Sequence, residues 1–221
     1  MTDVMRDRMA VALCGLVGVA ALGVYYSVPL PLPAPGADIT AIVEFGTRYH
    51  NRILLDAWLQ AVGSLLAVIF FAAIVHLAGG FRSVFAWIAA LGMTSVLAMS
   101  LLDVALVLGA MQGAALGHVT TAQTCFDLTY VFIHIFPIVP AAATFFGLGG
   151  VLLRTTLLPR PLGHAAIALA LAFEVLGLAG LFEPSVNGVM VLLLSAQEVW
   201  IVAAAACLVL AAKPSLELRA A

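Results

Sequence analysis

Asp103, Asp127, His134, Glu174 and Glu198 stand inside, or at the lip of, runs so apolar that only a membrane interior accounts for them. A carboxylate placed in hydrocarbon costs on the order of 2.5 kcal/mol or more, so such residues usually turn toward a bundle interior and mark a site. Carboxyls kept neutral by desolvation suit proton exchange or acid catalysis. Glu174, Glu198 and Asp103 are therefore the candidate catalytic groups if the chain is an enzyme.

Spacing extends the set. Residues three, four or seven apart share a helix face, so Asp56, Gln60, Gly63 and Ser64 form one polar stripe, and Asp127, Tyr130, His134 and Pro137 form another. Counting the helical rise along each span places His134, Glu174 and Glu198 roughly 12 Å below the outer boundary. Asp56, Asp103 and Asp127 fall nearer that boundary, and Gln60 and Gln197 fill the levels between and below. Trp200 is deep enough to join them. Asp56, Gln60, Asp103, Asp127, Tyr130, His134, Glu174, Gln197, Glu198 and Trp200 are expected to line one pocket, a funnel opening outward with an acidic mouth and a Glu/Glu/His floor.

The elements that must position this set are membrane spans. Of 221 residues, 64% are hydrophobic and 9% charged, whereas soluble domains carry roughly 25% charged residues. A helix crossing the bilayer needs about 20 apolar residues, and six runs qualify: Met9–Val28, Ile53–Leu77, Phe85–Leu108, Phe126–Leu153, Leu162–Phe182 and Val189–Ala212. The expected fold is an all-α membrane protein, a single bundle of six transmembrane helices spanning residues 1–221. Arg6, Arg8, Arg82, Arg154, Arg160, Lys213 and Arg219 fall on one side of such a chain, so the positive-inside rule puts both termini in the cytoplasm. Arg6 and Arg8 also resemble the n-region of a signal peptide, but the apolar run that follows is longer than a usual h-region.

The longest connection, Pro29 to Arg52, opens with alternating prolines that favour an extended path, after which Ile39 to Phe45 can form an interfacial helix; it serves either as a lid over the outer end or as a connector. Gly15, Gly18, Gly23, Gly147, Gly149 and Gly150 read as close helix contacts. Pro137 and Pro140 should bend the fourth span. Trp58 and Trp87 fit an aromatic belt. The three cysteines, Cys14, Cys125 and Cys207, form no disulfide framework.

Several classes are excluded. There is no G-x-x-x-x-G-K-[ST], no H-E-x-x-H and no G-x-S-x-G, which removes the P-loop, zinc-protease and serine-hydrolase signatures. No metal set or cofactor motif emerges, and the lack of a basic patch argues against nucleic acid. The expected partners are the lipid bilayer, a lipophilic or cationic small molecule, and a second copy of the chain in a homodimer.

The run Phe145-Phe146-Gly147-Leu148-Gly149-Gly150-Val151-Leu152-Leu153-Arg154, followed by Leu157-Leu158-Pro159-Arg160-Pro161-Leu162-Gly163, resembles a bacterial six-helix membrane family of unknown function, as does Glu198 in the middle of the final span. The chain departs from that pattern in carrying Asp103 in place of a third-span Glu and in placing Trp200 earlier than a terminal Trp. The resemblance implies the six-helix fold and a bacterial cytoplasmic (inner) membrane location, and no activity. Three functions then compete: an acidic pocket that binds or translocates a cation, a proton or a cationic or lipophilic molecule; an intramembrane enzyme using carboxylates on a lipophilic, for example prenyl, substrate; and a structural or regulatory subunit.

Overall fold

The computed structural model describes residues 3–27, 30–31, 33, 36–135, 137–182 and 187–211. Most of the proline-rich stretch expected to run extended, the turn at 183–186 and the basic tail with Lys213 and Arg219 lie outside the described residues.

Among the described residues the chain is all-helical. In order these are α1 (Asp3–Ser27), α2 (Ile39–Arg48), α3 (His50–Leu77), α4 (Val84–Ala115), α5 (Val119–Ile135), a π-helical turn (Pro137–Ala141), α6 (Ala142–Leu152), α7 (Arg160–Phe182) and α8 (Asn187–Ala211). Five segments are long and apolar enough to cross a membrane: Met5–Tyr26, His50–Leu77, Val84–Ala115, Arg160–Ala179 and Leu192–Leu210. Their outer faces carry exposed Leu13, Leu91, Leu171, Leu192, Val199 and Leu210, a surface that water would not tolerate and lipid does. The chain is a multi-pass membrane protein.

The fourth expected span differs. In place of one helix over Phe126–Leu153 there are two, α5 and α6, joined through the π-helical turn that contains Pro140. Each proline there lacks an N–H and its ring crowds the preceding turn, so the regular ladder cannot run through. Irregular backbone at membrane depth must be satisfied within the protein, and the Thr144 hydroxyl donates to the Pro140 carbonyl at 2.7 Å.

The second outer connection also differs from expectation, because most of Met111 to Gln123 is helical. α4 continues to Ala115 and α5 starts at Val119, leaving a tight reversal. There Gly117 sits at φ +73°, and the His118 N–H reaches back to the Gly113 carbonyl at 2.8 Å. Only glycine occupies that backbone region without strain, which makes this a glycine helix stop. In the first outer connection, Asp38 caps α2 by accepting the Ala41 N–H at 2.9 Å, and the helix runs a turn beyond Phe45. Tyr49 alone separates it from α3: its N–H bonds to Phe45 O and its carbonyl accepts from Ile53.

Helices α4 and α6 set the closest approach in the bundle. A Cβ on Gly92 would lie 2.5 Å from Thr144 N, and one on Gly147 would overlap Ala89 N and the Phe85 carbonyl. Around this seam lies the main core. Phe71 of α3, Phe145 of α6, Phe173 of α7 and Trp200 of α8 form an aromatic layer, with Phe145 edge-on to Phe71 at 5.6 Å and to Trp200 at 5.5 Å. A smaller cluster pins α2 to α4 and α5 through Ile42, Ala110, Ala114, Ala122 and Phe126. Trp58 and Trp87 are exposed at opposite ends of the bundle, where an amphipathic ring belongs.

Gly147→Ala is expected to lower unfolding stability in detergent by about 1–3 kcal/mol, because backbone must move to admit the methyl group. Gly23→Ala, whose added Cβ meets nothing within 4 Å, should stay within about 0.5 kcal/mol of the parent. Thermal melts followed by circular dichroism check both, and equal melts for Gly147→Ala and the parent would refute the assigned seam.

Candidate intramembrane polar site

Helix α3 places Arg52, Asp56, Gln60 and Ser64 at successive four-residue steps, which stacks them on one face. The rise per residue puts Asp56, Gln60 and Ser64 roughly 9, 15 and 21 Å below the helix start. Each rung has a partner. Arg52 Nε lies 2.7 and 2.9 Å from the two Asp56 oxygens, and Asp56 is only 4% exposed. Gln60 Nε2 donates to Asp103 Oδ2 at 3.0 Å. Below that, Ser64 and Ser100 share a hydrogen bond at 2.8 Å. Ser100 and Asp103 are three apart on α4, so one face of that helix answers one face of α3.

The column ends in a cavity of about 50 Å³ between α1, α3, α4, α6 and α8, with Tyr26, Gln60, Ser64, Ser100, Thr144 and Gln197 as its polar lining. Phe71 and Phe145 also line it, and they belong to the aromatic layer. The polar column therefore reaches into the bundle from the end where α3 begins and stops at an apolar floor.

Glu198, adjacent in sequence to Gln197, is half-buried. Asp56 Oδ1 has Arg52 as its ion-pair partner, whereas Asp103 Oδ1 and Glu198 Oε1 are buried without a hydrogen-bond partner among the described residues. The Tyr26 hydroxyl lies within electrostatic range of both carboxyls. An unmatched buried polar atom is exceptional and marks a place for a proton, a water or an ion. Carboxyl, amide and hydroxyl oxygens are hard ligands. No group of three or more His, Cys, Asp or Glu converges among the described residues.

Of the ten residues expected to share a pocket, Asp56, Gln60, Asp103, Gln197 and Glu198 are brought together along this column. Asp127 and Glu174 are not: both are exposed on the outer faces of α5 and α7. Depth counting fixed their level but not the rotation of their helices. Trp200 is 3% exposed and lies in the aromatic layer, its indole N–H donating to the Leu162 carbonyl at 2.9 Å; it ties α8 to α7 and does not line the cavity. Tyr130 and His134 ride on α5, but their side chains lie outside the described residues.

Three lining residues escaped the sequence reading. Tyr26 reads as an interfacial aromatic because it sits near the end of α1. Ser100 was legible as the i−3 neighbour of Asp103. Thr144, four residues after Pro140, had the spacing of a hydroxyl that repairs a proline break. Helix α2, the expected lid, rests on α4 and α5, and a groove of about 640 Å³ runs between it and the adjoining ends of α3 and α4, lined by Val43, Thr47, His50, Leu54, Met111 and Gln112 among others.

Gln60→Leu should destabilise the protein by about 1–3 kcal/mol, since it strips a buried carboxylate of its donor. Adding Asp103→Leu should recover more than half of that loss, because removing both partners leaves no unmatched group. Reversible unfolding of the single and double variants in detergent measures this; an additive further loss in the double variant would be the contrary result.

The chain matches no protein-family model, and neither a curated protein nor a solved structure is detectably similar to it.

Proposed function

We propose that this protein takes up protons or a small inorganic cation from the outer side of a bacterial cytoplasmic membrane into an intramembrane site at Asp103 and Glu198. The observation that carries the reading is the pair of buried, unmatched carboxylate oxygens on Asp103, which is bonded to Gln60, and on Glu198, next to Gln197; both glutamines line a cavity of about 50 Å³. That volume holds a few waters, each needing at least about 10–15 Å³. Organic ligands of drug size occupy roughly 300 Å³ or more, so a prenyl chain or a cationic amphiphile is too large for this site.

In this reading the bundle makes six crossings, with α5 and α6 together forming the fourth, and both termini lie in the cytoplasm. The basic residues Arg82, Arg154 and Arg160 gather at the inner ends of α4, α6 and α7, in keeping with the positive-inside rule. The Arg52–Asp56 pair then stands at the outer entrance. Gln60 orients Asp103 for the incoming cation, and Tyr26 and Gln197 supply hydroxyl and amide groups beside Glu198. Passage to the inner side requires the Phe71/Phe145 floor to open. The adjoining π-helical turn supports movement there, since discontinuous helices near the midplane are where transporters hold and release ions, and π-segments recur at functional sites.

The test is flux in proteoliposomes loaded with a pH-sensitive dye, under an imposed pH or sodium gradient. The parent should carry ions, and Asp103→Asn and Glu198→Gln should each lower the rate by roughly tenfold or more, the usual scale for losing a group that handles protons. Glu44→Gln, on the exposed face of α2, should not change it. Absence of flux in the parent, or full flux in both acid variants, would defeat the proposal. A purely structural role for the same residues is favoured by the Gln60–Asp103 and Ser64–Ser100 bonds, which join α3 to α4. That role predicts loss of folding in step with loss of flux.

A further inference from the structure

At the end of the bundle away from the polar column, the turn between α6 and α7 holds a second cavity of about 500 Å³, formed by residues 153–160. Its polar lining is Arg154, Thr155, Thr156 and Arg160, with no carboxylate among the lining residues. Two guanidiniums and the Thr156 hydroxyl make a donor set suited to phosphate oxygens, which arginine engages through paired N–H groups. Thr156 is exposed within this lining, whereas the Thr155 hydroxyl is buried away from the open space.

Arg154 is positioned by an aromatic ring. Its guanidinium lies 4.4 Å from the centroid of Phe85, a cation–π contact that leaves its N–H edges available. Phe85 packs in turn on Phe146 at 5.7 Å, and Phe146 and the neighbouring Val84 are exposed. An apolar surface thus continues from the base of the guanidinium onto the outer faces of α4 and α6. Arg82, exposed in the turn before α4, adds positive charge at the same end.

We infer that this pocket binds the phosphate headgroup of an anionic phospholipid, whose acyl chains lie along Val84, Phe85 and Phe146. A free phosphate would use the guanidiniums and the Thr156 hydroxyl but would leave the adjoining exposed aromatic surface unused. A lipid uses both. Basic pockets at helix ends on the cytoplasmic side are suited to such headgroups.

The test is native mass spectrometry of the full chain in mild detergent, titrated separately with phosphatidylglycerol, phosphatidylcholine and inorganic phosphate. The parent should retain phosphatidylglycerol over phosphatidylcholine, and millimolar phosphate should not displace it. Arg154→Gln with Arg160→Gln should lower phosphatidylglycerol occupancy by roughly tenfold or more, while Arg48→Gln in α2 should leave it unchanged. Thr156→Val keeps the volume and both arginines and should reduce occupancy by a smaller factor, which maintains the test if the double variant does not fold. Equal retention of the two lipids, unchanged occupancy in the folded arginine and Thr156 variants, or phosphate binding without phosphatidylglycerol binding would each overturn the assignment.

Discussion

The contact of α4 with the broken α5–α6 unit, at Gly92 and Gly147, is the constraint on which the other placements depend. Without Cβ atoms at those positions the two backbones run in direct contact, and small residues allow such approach in a medium where lipid competes equally for apolar side chains. Because α4 is held there, the same helical stripe farther along α4 presents Ser100 and Asp103 to α3. With α6 held on the opposite side, Phe145 enters the centre of the aromatic layer and Thr144 reaches the cavity wall. A proline break that would be costly in isolation is accommodated because the same seam supplies neighbours to the irregular turn.

The polar column and the aromatic layer are complementary solutions to one problem. Polar side chains within a bilayer need partners, and in the half of the bundle where α3 begins they find them in each other: Arg52 with Asp56, Gln60 with Asp103, Ser64 with Ser100. The two interhelical bonds, Gln60–Asp103 and Ser64–Ser100, contribute on the order of 0.6 kcal/mol each, so they align helices more than they hold them together. Beyond the cavity the cross-section is filled by Phe71, Phe145, Phe173 and Trp200, which exclude water. The bundle is thus asymmetric along its length, polar toward the start of α3 and dry beyond the cavity.

How much of this was legible in the sequence follows from what periodicity encodes. Helical rise gives depth, so five spans and the levels of Asp56, Gln60, Asp103 and Glu198 could be read directly. Rotation is set by neighbours, and a lone Glu174 on an otherwise apolar helix carries no pattern to reveal which way it turns. The stripe at Asp56, Gln60 and Ser64 succeeded because three polar residues at four-residue spacing define a face by themselves. Trp200 misled because an aromatic with one N–H is compatible with a cavity wall and with a core that offers a carbonyl, and only packing brings Leu162 into reach. The prolines at 137 and 140 announced a bend, but a break into two helices joined by a π-helical turn depends on the Thr144 bond and on the seam with α4.

The contact between α1 and α8 also has a bearing on assembly. Tyr26 on one and Gln197 on the other, next to Glu198, complete the cavity, though six helices separate them in the chain. Synthesis proceeds from the N-terminal side, so the α3–α4 pairing of Gln60 with Asp103 can form while α8 is still unmade. Until α8 docks against α1, the wall that carries Glu198 is missing and Tyr26 borders an open gap. Closing the ring is thus the step that converts a bundle with a polar crevice into one with an enclosed site, and it makes that site a property of the completed chain.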